Sequence, residues 1–96
     1  MLIRSQNKEV LVAFEFLPDI EVSGGVISAR RDMGWCCLLG EYSTKAKTMK
    51  VLDMIQEAYS EYQIMLNFSV SYLHEFKEKT DGFAIFQMPE DSEVGA

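Results

Sequence analysis

The hydrophobic period of this chain changes once, near Ser43, and that change points to an α+β architecture. Up to Tyr42 the apolar residues come in short runs broken by turn residues. From Ser43 to about Tyr62 they recur every three or four positions. Alternation suits strands and a spacing of three and four suits one face of a helix.

Read in order, Leu2 to Ser5 is a first short strand, closed by the polar turn Gln6-Asn7-Lys8. Val10 to Phe16 is a second, broken by Leu17-Pro18-Asp19 because proline cannot donate to a strand ladder. Ile20-Glu21-Val22 and Val26-Ile27-Ser28-Ala29 flank Ser23-Gly24-Gly25, the strongest hairpin signal in the chain. Trp35-Cys36-Cys37-Leu38-Leu39 is continuously apolar and reads as a central strand covered on both faces. The helix is placed at about residues 44–62, with Ser43 or Thr44 as N-cap and a buried stripe through Ala46, Met49, Leu52 (or Asp53), Ile55, Tyr59 and Tyr62, widened by Val51, Ala58 and Met65. Residues 63–79 fit a strand, through Leu66, Phe68, Val70 and Tyr72, and also a helical continuation. Phe83 to Met88 is a closing strand ended by Pro89, and the acidic residues 90–96 read as a loose tail.

The expected fold is therefore one α+β domain over residues 1–89. A mainly antiparallel sheet of five or six short strands packs on one long helix, with topology roughly β-β-β-β-β-α-β. A chain of 96 residues with 48% hydrophobic residues, including six Phe, four Tyr and one Trp, supports one core. Its net charge of −6 argues against a general nucleic-acid binder, which relies on a basic footprint. Cys36 and Cys37 are adjacent and make no disulfide framework; the first residues hold no apolar leader, and no run is long enough for a membrane span. These features lead us to expect a cytoplasmic protein.

Four blocks carry a resemblance: Met1-Leu2-Ile3-Arg4-Ser5-Gln6, Leu39-Gly40-Glu41-Tyr42-Ser43-Thr44, Val51-Leu52-Asp53-Met54-Ile55-Gln56 and Phe86-Gln87-Met88-Pro89-Glu90-Asp91. With them the chain resembles a family of small uncharacterised proteins of Gram-positive bacteria and their phage-like mobile elements. The resemblance implies a β-rich domain with one long helix before a terminal strand, and it implies no activity. The family pattern tends to be acidic after the Tyr-Ser-Thr, which would complete a capping box; here Lys45 and Ala46 stand there, and the cap loses its reciprocal partner.

Candidate functional residues are few. Asp53, Glu57 and Glu61, at i, i+4 and i+8, could face a hard cation, against the plain reading of a solvated acidic face. Arg30, Arg31, Lys45, Lys47 and Lys50 could gather an anion if the Arg30–Gly34 turn adjoins the helix start. Trp35 and Tyr42 are either core or interface anchors. His74 is the sole histidine, and Cys36 and Cys37 read as core residues rather than partners of it. There is no P-loop, dinucleotide fingerprint, zinc spacing or nucleophile elbow, and no cofactor is expected. The leading expectation is a non-catalytic module that binds a protein, a second copy of itself included. The alternatives are a small divalent-metal enzyme using the helix carboxylates, and an acidic decoy acting on a nucleic-acid-binding protein.

Overall fold

The computed structural model describes residues 1–30, 36–66 and 85–95. Six strands and one long helix follow the expected order: β1 (Leu2–Arg4), β2 (Leu11–Ala13), β3 (Asp19–Ser23), β4 (Val26–Arg30), β5 (Cys36–Glu41), α1 (Lys45–Leu66) and β6 (Ile85–Gln87). The class is α+β, and the strands divide between two three-stranded sheets. In one, β1 lies between antiparallel β2 and parallel β6. In the other, β4 lies between antiparallel β3 and β5. The division begins after Ala13, where the chain leaves β2 for a 3-10 turn, Phe14–Phe16, and then meets Pro18. What reads as one strand to Phe16 is thus a three-residue strand and a turn.

The hairpin forms at Ser23-Gly24-Gly25 as its residues demand. Gly24 has φ +58°, in the left-handed region that glycine enters without a Cβ penalty. Val22 pairs with Ile27 and Ile20 with Ala29, which turns these side chains to the face that α1 covers. Ile27 and Ala29 are fully buried there.

β5 departs from the expected strand buried on both faces. Its pairing with β4 slips between Ile27 and Ser28, so that Gly40 opposes Ile27 and Leu38 opposes Ser28. Leu39 is the extra residue of a bulge, and a bulge reverses the side-chain alternation beyond it. Leu39 and Gly40 therefore both point inward, while Cys36 and Leu38 face out and Leu38 stays 48% exposed. Before the bulge the alternation is regular, with Cys36 and Leu38 outward and Cys37 and Leu39 inward, and Cys36 is an exposed free thiol rather than a core residue.

The helix begins where expected and runs one turn further than Tyr62. Its buried line is Thr48, Val51 and Ile55, flanked by Leu52, Ala58, Tyr59 and Tyr62. Ala46 and Met49, expected in that stripe, are exposed. Thr48 displaces them because its hydroxyl can bond at depth: it lies 2.7 Å from the Gly24 carbonyl and 2.9 Å from that of Thr44. A threonine so satisfied can be buried at little cost. Burial of Val51 and Ile55 contributes about 1.5–3 kcal/mol each.

Residues 90–95, expected as a loose tail, are anchored at Val94 and half-buried Asp91, while Glu90, Ser92, Glu93 and Gly95 are exposed. A 3-10 turn, Asp91–Glu93, follows Pro89, and Val94 is only 3% exposed within the core. The acidic residues there serve local bonds: the Glu93 carboxylate accepts the Glu90 N–H at 2.9 Å. Of the segment 63–79, residues 63–66 are helical; residues 67–79, with His74, lie outside the described residues, as do Phe83 and Ala84. Among the described residues no helix is long and apolar enough to cross a membrane.

Candidate functional site

Three of the four six-residue blocks, those at the two ends of the chain and the one around Tyr42, meet at the junction of the two sheets. The Gln6 N–H donates to the Leu39 carbonyl at 2.7 Å, using the oxygen that the bulge frees. The Gln6 carboxamide then behaves like a strand residue beside Glu41, donating to its carbonyl at 3.0 Å and accepting its N–H at 2.9 Å. The same amide nitrogen donates to Pro89 at 3.2 Å, and the Gln87 amide donates to the Ser5 carbonyl at 3.0 Å. These bonds knit the sheets together and fix the segment after β6.

Tyr42 sits in this junction as a core residue, 7% exposed, and not as an interface anchor. Its hydroxyl donates to the Pro89 carbonyl at 2.8 Å. Burial, with Glu90, Asp91 and Glu93 nearby, pushes the phenol from 10.0 up to about 12. The fold thus favours the neutral phenol. Its contribution to stability is whole below pH 10 and drains away as pH climbs from 10 toward 12. Tyr42→Phe is expected to cost about 1 kcal/mol at neutral pH, since Pro89 keeps its bond from Gln6. The variant is also expected to lose less stability than the wild type between pH 10 and 12, which urea titrations across that range would read.

The helix start explains the missing capping partner. Thr44 caps conventionally, accepting the Lys47 N–H at 3.1 Å. No acidic residue stands in the first turn, and Asp91 supplies the carboxylate from the far end of the chain. It accepts the Ser43 N–H at 2.7 Å and faces the Lys47 ammonium at 3.4 Å. The Ser43 N–H, with the Ser43 hydroxyl and Lys47 behind it, holds the Asp91 carboxyl below its ordinary range. Negative charge belongs at a helix N-terminus, and here the protein places its own.

Among the described residues the candidate anion-binding cations do not gather at one place. Lys47 is paired with Asp91, and Lys50 donates to the Gly95 carbonyl. Arg30 sits at the far end of β4 from the hairpin turn that touches Thr48, about 16 Å along the strand. There it pairs with Glu21 at 2.8 Å and Asp19 at 3.7 Å. Lys45 is exposed, and Arg31 and Trp35 lie outside the described residues. Asp53, Glu57 and Glu61 are all exposed along the helix. Among the described residues no three His, Cys, Asp or Glu side chains converge as metal ligands would.

What the folded chain does present is a groove of about 480 Å³, for which no local sequence signal stands. One wall is the segment that leaves β2, with Phe14, Leu17, Pro18 and Ile20. The other is the middle of α1, with Leu52, Ile55 and Tyr59. Phe14 and Tyr59 stack at 4.3 Å between ring centroids and join the two walls. The Gln63 amide donates to the Tyr59 hydroxyl at 2.7 Å and holds that ring. The 3-10 turn and Pro18 keep the backbone from closing on the helix. Asp19, Gln56 and Ser60 supply the polar lining. The Ser60 hydroxyl donates back to the Gln56 carbonyl at 3.0 Å, so it is not poised as a nucleophile.

The fold and this groove define a small two-sheet α+β domain with an apolar cleft between a turn and a helix. No protein-family model, curated protein or solved structure matches the chain.

Proposed function

We propose that this chain is a non-catalytic protein-binding module whose working surface is the groove between Phe14–Ile20 and α1. The observation that carries the reading is the groove itself. Its volume of about 480 Å³ falls in the range of sites that accept an apolar group, and its lining is apolar with a few polar residues. Phe16, next in the chain to Leu17 of the groove wall, is a large apolar side chain left 83% exposed. Apolar surface of this kind favours association. The Ser60 hydroxyl in the groove is taken up by the Gln56 carbonyl, and among the described residues lining it none forms a nucleophile–base pair. The resemblance to small proteins of Gram-positive bacteria and their mobile elements belongs to the same proposal, as does a cytoplasmic location. The free thiols of Cys36 and Cys37 suit a reducing compartment.

The test uses Ser60→Trp, an exposed helix position whose new ring would fill the groove and remove no core contact. Tagged wild type and variant, matched in melting temperature, are incubated with nuclease-treated lysate of the source cell and with a differently tagged second copy. A stoichiometric protein held by the wild type and lost by Ser60→Trp is the expected result. Equal capture by both would sink the reading.

A further inference from the structure

We infer that the groove's partner is a cationic amphipathic peptide segment of another protein, which seats an apolar side chain between Phe14–Ile20 and α1 and sets Lys or Arg against the acidic rims. This rests on the binding-module reading above. The apolar floor accounts for the side chain, and the charges beside it account for the cations.

On the helix side, Gln56 and Ser60 line the groove. At 100° per residue, Asp53 and Glu57 fall only about 20° and about 60° beyond Ser60 around α1, on the side away from Leu52 and Ile55. Both are exposed, and Glu61 continues the row. The opposite rim carries Asp19, with a half-exposed side chain. Its Oδ1 is itself buried and has no hydrogen-bond donor among the described residues, so the exposed part of the carboxylate is what the rim presents. Among the described residues the nearest cation is Arg30, which gives its short contact to Glu21 and stands 3.7 Å from Asp19. One guanidinium between two carboxylates leaves these three side chains with a net negative charge. A groove with an apolar floor and acidity on both sides selects against anionic partners and for basic ones. The net charge of −6 draws such partners from a distance. This also gives the Asp53–Glu57–Glu61 row a role that requires no metal.

The experiment is fluorescence anisotropy with two labelled synthetic helices that share their leucine positions, one with lysine elsewhere and one with glutamate. The Leu/Lys peptide is expected to bind at least about 10-fold tighter than the Leu/Glu peptide, with affinity falling as salt is raised. Asp19→Asn, Asp53→Asn and Glu57→Gln are each expected to weaken it by about 2–5-fold while melting stays unchanged. Ser60→Trp is expected to weaken it by about 10-fold or more, because the apolar side chain loses its seat. Equal binding of the two peptides would overturn the inference. So would Leu/Lys binding that survives Ser60→Trp, which would reduce it to loose charge attraction. If the lysate partner is captured through the groove and the Leu/Lys peptide still fails to bind, the binding module stands and the cationic partner falls.

Discussion

Gly25→Ala is expected to lower stability by about 3–5 kcal/mol, a large share of what a domain of this size possesses. A Cβ at Gly25 would press on the carbonyl oxygen of Tyr42, well inside contact distance, and that oxygen is backbone that cannot swing aside. The crowded strands are also bonded here, since the Tyr42 N–H donates to the Gly25 carbonyl at 2.7 Å. Relieving the clash means moving the end of β5, and with it the Tyr42 ring and the helix cap at Thr44. Gly24→Ala is the control. It has a left-handed φ of +58° and open space where its Cβ would go, so it carries strain of about 1–2 kcal/mol without a collision. Urea midpoints of the two variants separate the effects, and equal midpoints would refute the close-approach argument.

Ile27→Ala is the second large effect, expected at about 2–5 kcal/mol. Ile27 has no exposed surface and lies in the middle strand of its sheet, opposite Val22 on one side and Gly40 on the other. Gly40 offers no side chain to fill the space, and its neighbour Leu39 is already fixed by the bulge. The cavity would therefore persist, and the cost is expected in the upper half of that range. Ile27→Val, which removes one methylene, is expected to cost about 0.5–1.5 kcal/mol. Thermal and chemical denaturation would check the order of the three proteins; a loss for Ile27→Ala no greater than for Ile27→Val would show that the site collapses around the gap.

Much of the fold was legible because local signals and tertiary packing agree. Ser23-Gly24-Gly25 dictates a hairpin whatever surrounds it, and the change of period at Ser43 dictates a helix. The features that were missed depend on partners distant in sequence. Thr48 reads as polar until the Gly24 carbonyl is beside it. Val94 and Asp91 read as part of a solvated tail until a helix start with three lysines and no acid is brought against them. The bulge at Leu39 hides in an apolar run, which has the same composition whether it is a strand buried twice over or one that changes phase. For the site, the row Asp53–Glu57–Glu61 was visible and its relation to a groove was not. The groove exists only because Pro18 and the 3-10 turn hold residues 14–20 at a distance from residues 52–60. Tyr42 was visible as a choice between core and interface, and burial places it in the core.

The pairing of Gln6 and Tyr42 with Pro89, and of Ser43 with Asp91, has a bearing on how the protein is made. These bonds span 83, 47 and 48 positions of the chain. During vectorial synthesis the hairpin and α1 emerge first and can form from contacts already outside the ribosome. The sheet junction must wait, with its helix start lacking a carboxylate and the Tyr42 hydroxyl lacking its acceptor, until residues 85–95 follow. Contacts of such separation are slow to close, and they give the nascent chain an interval in which its apolar groove walls are held together weakly. Residues 85–95, which are made after the hairpin and α1, are thus the ones that lock the fold.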